Sequence, residues 1–325
     1  MEIESTAPVL HVAPSPHLSQ SGQSTRRMMV DVLIALAPVA AVSLAVFQWY
    51  AVKQMVVCIV SCLVAEALFT KMRRRPLRLN DFSAVVTGAI LAFSLPGTAP
   101  WYVGFIASFV AMGIGKILFG GLGMNLFNPA MVGRAFVMIA FAGLIGASGY
   151  EVAGSSVDIL SRATPLTAFK QSGDPGSLHA LFFGITNGSL GETSALACLA
   201  GGIYLCLRRT ASWEIPLGVI AATTVVAGIG FLVSPGTMWS PLHHLFGGAL
   251  LFGAFFIATD PVSSPLTPKG KFVFGAGIGI LVMVFRLFSG YPEGVMFAVL
   301  LMNGVTPLIN RWTIPTPLGG EKAEG

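Results

Sequence analysis

The stretch VDILSRATPLTAFK, residues 157–170, gathers an Asp, a Ser, two Thr, an Arg and a Lys between hydrophobic runs. Asp158, Ser161, Ala163 and Thr164 stand in a D-x-x-S-x-A-T spacing, and Pro165 biases the backbone of Thr164 toward the extended region. A hydroxyl held out from extended backbone is reachable by a modifying enzyme. Arg162 and Lys170 lie close enough in sequence to balance the charge of a phosphate attached there. The plainer reading leaves Asp158 and Ser161 making local turn hydrogen bonds only.

The chain around this stretch is of membrane type. Of its 325 residues 54% are apolar and 10% charged, and the mean hydropathy is +0.78, far from the composition of a soluble domain. The 19 Lys and Arg against 14 Asp and Glu occur in short clusters beside apolar runs. That arrangement points to loop charges that set orientation, and away from a nucleic-acid partner. The first 25 residues are rich in Pro and Ser without a cationic start and apolar core, so no cleaved signal peptide is expected. Cys58, Cys62, Cys198 and Cys206 all fall in apolar segments without a C-x-x-C pair. Cys58 and Cys62 are one helical turn apart, half of a metal site at most, and read as buried thiols with no metal framework.

Apolar runs that could cross a membrane occupy about 29–49, 53–70, 81–95, 101–119, 127–146, 193–207, 213–233, 242–258, 271–289 and 292–310. With a cytoplasmic N-terminus, thirteen Lys and Arg fall in inside segments and three, Lys53, Arg162 and Lys170, outside. By the positive-inside rule both termini are then cytoplasmic and residues 147–192 face the periplasm or exterior. Five runs precede that loop and five follow it, which would relate the halves by inversion. The third run of each half is short and closed by Pro96–Gly97 or Asp260–Pro261, and each is followed by a Gly-rich run containing Lys116 or Arg286. The expectation is an all-α integral membrane protein of about ten transmembrane helices in two inverted five-helix repeats with short broken helices. Its segments are a tail (1–27), a first repeat (28–146), an outer loop (147–192), a second repeat (193–312) and a second tail (313–325).

DILSRATPL resembles the flavinylation motif of RnfD, a membrane component of Rnf-type ion-translocating oxidoreductases, and of NqrB, its counterpart in the sodium-translocating NADH:quinone reductase. GLGMNLFNPAMVGRAF at 121–136, ATDPVSSPLTPKGK at 258–271 and SGYPEGVMFAVLLMNGVTPLIN at 289–310 resemble the RnfD family more specifically. The resemblance spans residues 15–312, with Arg162 standing where many members carry Gly. It implies FMN joined to Thr164 by a phosphoester, with Asp158, Ser161, Arg162 and Ala163 as its motif, and a non-covalent riboflavin inside the helix bundle. It further implies a multi-subunit complex of the bacterial inner membrane that couples ferredoxin or NAD electron transfer to Na⁺ or H⁺ transport, a flavin transferase for maturation, and contact with membrane lipid. Partner subunits would hold the dinucleotide site, since no G-x-G-x-x-G follows a strand here.

Asn128, Arg134 and Asp260 are candidates for a second flavin or for partner contacts. Asn128–Pro129 also reads as a helix cap, Asp260–Pro261 as a turn, and Arg134 either binds a flavin, pairs with another subunit or snorkels to the cytoplasmic interface. Asp31 and Glu66 read as interfacial. His243 and His244, being adjacent, face different directions and read as residues of the outer interface. The competing function is a non-redox inverted-repeat transporter or channel, for which the D-x-x-S-x-A-T loop has no use.

Overall fold

The computed structural model describes residues 24–76, 79–146, 164–173, 176–233, 239–289 and 293–315. The first half holds α1 (Thr25–Phe47), α2 (Trp49–Met72), α3 (Ser83–Ser94), α4 (Trp101–Val110), α5 (Pro129–Ala140) and α6 (Ala142–Ile145). Two short helices follow, α7 (Pro165–Ser172) and α8 (Leu178–Phe183). The second half holds α9 (Ala195–Leu207), α10 (Glu214–Val233), α11 (Pro241–Phe246), α12 (Leu250–Phe252), α13 (Pro268–Phe288) and α14 (Val295–Thr313). Among the described residues the only strand-like pairing is an isolated bridge between Pro96 and Ser189. The protein is all-α, and five helices, α1, α2, α10, α13 and α14, are long and apolar enough to cross a membrane. The remaining apolar runs are shorter pieces, and two of them, Ala111–Ile117 and Gly253–Ile257, are π-helical.

Four helices begin with the same two-residue device: Asn128–Pro129, Thr164–Pro165, Ser240–Pro241 and Thr267–Pro268. The cap oxygen accepts N–H groups that the first turn cannot satisfy, and proline occupies a position that needs no donor.

Packing is the reverse of a soluble core. On α2 the stripe Val56, Val60, Val64 and Leu68 is exposed, whereas Ala51, Gln54, Cys58, Cys62 and Ala65 are buried. Small and polar residues let helix backbones approach where apolar area alone offers no drive, since lipid is as apolar as valine. Between α10 and α13 a Cβ at Gly275 would collide with the Ile215 carbonyl.

Contacts between chain ends define two poles. Arg73 donates to the Ile117 carbonyl, Arg75 Nη1 to the Gly120 carbonyl at 2.8 Å, Arg208 pairs with Asp31 at 3.4 Å, and Lys271 Nζ donates to Ser212 Oγ at 2.6 Å. The starts of α1, α10 and α13 and the ends of α2 and α9 therefore share one basic pole. Both α2 and α9 close on an arginine in the left-handed region, Arg74 (φ 53°) and Arg209 (φ 57°), where glycine is the usual residue. Thr164, α7, α11 and α12 lie at the opposite pole. Exposed tryptophans mark both, Trp49 and Trp101 at the starts of α2 and α4, away from the basic pole, and Trp213 and Trp312 at the basic pole, as interfacial anchors do.

Two buried cations hold the broken helices. Lys116 Nζ donates to Ser83 Oγ at the start of α3 (2.6 Å) and to Glu66 (2.5 Å). Arg286 donates to the His244 carbonyl of α11 (2.5 Å), to that of Gly247 just after it (2.7 Å), and pairs with Glu293 (3.3 Å). Glu66 and Asp31 are both buried within the protein, near its basic pole. Asp31 is buried and accepts from Tyr204 and Thr210 as well as Arg208, because a carboxylate in an apolar bundle is kept only where donors surround it.

Candidate functional site

Thr164 caps α7 with an extended backbone, φ −64° and ψ 149°, as the following proline requires. Its hydroxyl does not stand free, however. It accepts the Thr167 N–H at 3.3 Å, lies 2.8 Å from the Thr167 hydroxyl, and the residue is only 9% exposed. A threonine at a helix start turns its oxygen back on the first turn, which a motif read as an open loop does not anticipate. α7 is held by Phe169 stacking on Trp239, centroids 5.2 Å apart at 18°, and by Lys170 Nζ donating to the Ser289 carbonyl at 3.0 Å. Asp158, Ser161, Arg162 and Ala163 lie outside the described residues.

Beside Thr164 is a small cavity of about 20 Å³, open to the surface, whose walls include Leu166, Asn187, Glu192, Gly248 and Glu293. Gly248 has φ +71°, and a Cβ there would collide with the Glu293 carboxylate and lie 2.7 Å from Leu166 Cδ1, so the wall requires glycine. Glu293 accepts from Ala249 N (2.8 Å) and from Arg286 (3.3 Å). Together these bonds pin the kink between α11 and α12 against the cavity.

Glu192 reaches the cavity on a segment that folds back between helices. Gly191 N donates to the Phe93 carbonyl (2.7 Å), Leu190 N to the Leu95 carbonyl (3.3 Å), and Ser43 Oγ to the Leu190 carbonyl (2.5 Å). The orphan carbonyls at the end of α3 are satisfied in this way. The Glu192 carboxylate accepts the Ser189 N–H. Burial, reinforced by the nearby Glu293 carboxylate, pushes its carboxyl up to about 7 against the pull of the Arg134 guanidinium.

Arg134 is 5% exposed, and its Nη1 is buried without a hydrogen-bond partner. It does not snorkel; the charge it feels is that of Glu192. The structure separates it from Asn128 and Asp260, which share a second cavity of about 800 Å³ at the basic pole. The 800 Å³ includes open solvent, and the enclosed part is about 80 Å³, walled by Met28, Val86, Leu205 and Phe256, with Lys116 on its lining. Asn128 is fully engaged there, accepting from Ala130 and Met131 and donating to the Ile257 carbonyl (3.2 Å), the π-helical counterpart of the α3 end. His244 is buried, and among the described residues neither ring nitrogen has a partner.

Sequence reasoning missed Glu192, Glu293 and Asn187. A signal existed for the first: Glu192 is the one charged residue between positions 184 and 207.

The chain is similar to the D subunit of a Na⁺-translocating ferredoxin:NAD⁺ oxidoreductase complex of Acetobacterium woodii, 41% identical over 309 residues that cover 94% of this chain and 93% of that one. It is also similar to the D subunit of an ion-translocating oxidoreductase complex of Escherichia coli, 38% identical over an alignment of 351 positions that covers 97% and 99%. The model of the NQR2, RnfD, RnfE family matches residues 11–319, and the chain belongs to that family.

Proposed function

We propose that this chain is the membrane-embedded, electron-carrying subunit of an ion-translocating oxidoreductase complex that couples ferredoxin or NAD electron transfer to Na⁺ or H⁺ movement, with FMN on Thr164. The observation that carries the reading is Thr164, at the start of α7, lining a cavity at the pole away from the basic clusters. The residues present suit the group. Thr164 would bear the phosphoester, Asn187 would stand beside it on the cavity wall, and Lys170 on the same helix would offset phosphate charge. Bound there, the isoalloxazine accepts and releases electrons, which the side chains of this protein do not do themselves.

The wider reading follows from the same geometry. With the basic pole cytoplasmic, the Thr164 pole faces the periplasm of the inner membrane. The paired holds of Lys116 on α3 and Arg286 on α11, one at each pole, are what an inverted repeat of ten crossings would produce. The cavity at the basic pole, with Asn128 and Asp260, suits a second, non-covalent flavin: apolar faces for the rings and polar atoms at the rim. Arg134 lies between the two cavities' linings on α5 and serves the Thr164 side. Moving one ion against 100 mV costs about 2.3 kcal/mol, within reach of modest differences between flavins. A flavin transferase and the other subunits complete the system.

Purified protein from cells expressing the transferase is run on a denaturing gel and viewed under ultraviolet light. A flavin-fluorescent band that disappears in Thr164→Val supports the reading. A dark wild-type band removes it and favours the non-redox transporter.

A further inference from the structure

We infer that Glu192 is the proton-exchanging group of the Thr164 cavity: when the flavin carried at Thr164 is reduced the Glu192 carboxylate takes up a proton, and it releases that proton on reoxidation. The inference rests on the reading of Thr164 as the flavin anchor.

Two carboxylates line the cavity together with Thr164, and they are not equivalent. Glu293 has a donor on each oxygen, Ala249 N at 2.8 Å and Arg286 at 3.3 Å. Glu192 draws its donors from Ser189 alone. It therefore has less to lose on protonation, and the neighbouring Glu293 charge favours its neutral form. Arg134 on α5 opposes this. Among the described residues the other charged or titratable groups of this pole include Arg286 on α13, Lys170 on α7, His243 and His244 on α11, His179 on α8 and Lys53 on α2; Arg286 bonds Glu293 and the carbonyls of α11, Lys170 the Ser289 carbonyl, His243 the Ser240 hydroxyl and Lys53 the Ala99 carbonyl. The carboxyl that can change state at neutral pH is Glu192, whose ordinary range has been displaced upward to about 7 by burial.

The step balances. Each electron arriving from a reduced flavin or iron–sulfur carrier of a partner subunit adds one negative charge to a cavity with low-dielectric walls, where charge is costly. One proton from water forms an O–H bond at Glu192 and restores the balance; reoxidation breaks that bond and returns the proton. Nothing else is consumed. By linkage, if reduction raises the proton affinity of Glu192, protonation raises the electron affinity of the flavin by the same factor. The segment carrying Glu192 is bonded to the end of α3, so the charge change is delivered to a broken helix.

The test uses the full flavin-bearing chain, reduced electrochemically in weakly buffered detergent from about pH 6 to about pH 8, with proton uptake read by an indicator dye. Wild type is expected to take up more protons per flavin than Glu192→Gln, by up to about one at the alkaline end of the range, where Glu192 starts ionised, and Glu192→Asp to retain the uptake with its midpoint pH moved. The reduced-minus-oxidised infrared spectrum should show a protonated-carboxyl band that shifts in deuterium oxide and is absent in Glu192→Gln. Unchanged uptake in a Glu192→Gln protein whose gel band still fluoresces overturns the inference and leaves the anchor intact. A dark wild-type band overturns both. Should Glu192→Gln fail to load flavin, the wild-type infrared band decides alone, and its absence overturns the proposal.

Discussion

The hydroxyls of Thr164 and Thr167 stand 2.8 Å apart, yet Thr164 lines the cavity and caps α7. They are like nucleophiles one helical turn apart, separated by position alone. Thr164→Val should abolish the flavin-phosphate mass adduct and also cost about 1 kcal/mol through the lost cap. Thr167→Val should keep the adduct. Intact-mass analysis of both variants distinguishes attachment at the cap from attachment to whichever hydroxyl is available, and an adduct surviving Thr164→Val contradicts the assignment.

Lys116 and Glu66 form a buried pair whose second Glu66 oxygen has no partner. Removing one member strands the other charge in the bundle, a loss of about 3–5 kcal/mol. Lys116→Met and Glu66→Gln should each lower the melting temperature in detergent markedly. The double variant should lose clearly less than the sum, because no charge is stranded. Additive losses would show that the two residues act independently.

The five long helices were legible because an unbroken apolar run reports a crossing directly: the runs at 213–233 and 271–289 correspond to Glu214–Val233 and Pro268–Phe288. The Asn128–Pro129 cap was legible for a local reason, since cap and proline act within one turn; the same device at Thr164, Ser240 and Thr267 was not singled out. What failed depended on distant partners. The donors that surround Asp31 were out of reach, since Tyr204, Arg208 and Thr210 lie over 170 positions away. Glu192 drew no notice because its segment has no helical or strand period, and its place is set by the ends of α3. Arg134 has a helical address, but only the fold-back of residues 187–193 shows which charge it meets.

Asp260 gives a pH dependence with a definite sign. Burial raises its carboxyl above the ordinary value, opposed by hydrogen bonds from Ser263 and Val262. As pH rises from the unfolded value, the unfolded chain gives up this proton while the folded chain keeps it, so stability is lost until the folded group also ionises. Asp260→Asn removes this contribution. Its melting temperature should fall less than that of wild type between about pH 4.5 and about pH 7. A wild-type protein whose melting temperature rises over that range at this residue's expense, measured as a larger fall in the variant, would reverse the sign and refute the argument.

α10 and α13 cross so closely that a Cβ at Gly275 or Gly279 meets the Ile215 or Val219 carbonyl, a backbone atom that cannot rotate away. The exposed stripe of α2 faces nothing within the protein: Val60 is 52% exposed. Equal changes in volume should therefore differ in cost by location. Gly275→Val must separate the helices, at about 1–3 kcal/mol or more, and with them Gly218, whose own Cβ would meet the Phe272 carbonyl on the same seam. Val60→Leu adds bulk toward lipid and should stay within about 0.5 kcal/mol. Melting of the two variants in the same detergent compares them directly. Because Arg286 lies on α13 and holds the kink beside Thr164, Gly275→Val should also dim the flavin band at matched protein load, whereas Val60→Leu should not; equal fluorescence in both would mean that the cavity does not depend on where α13 sits.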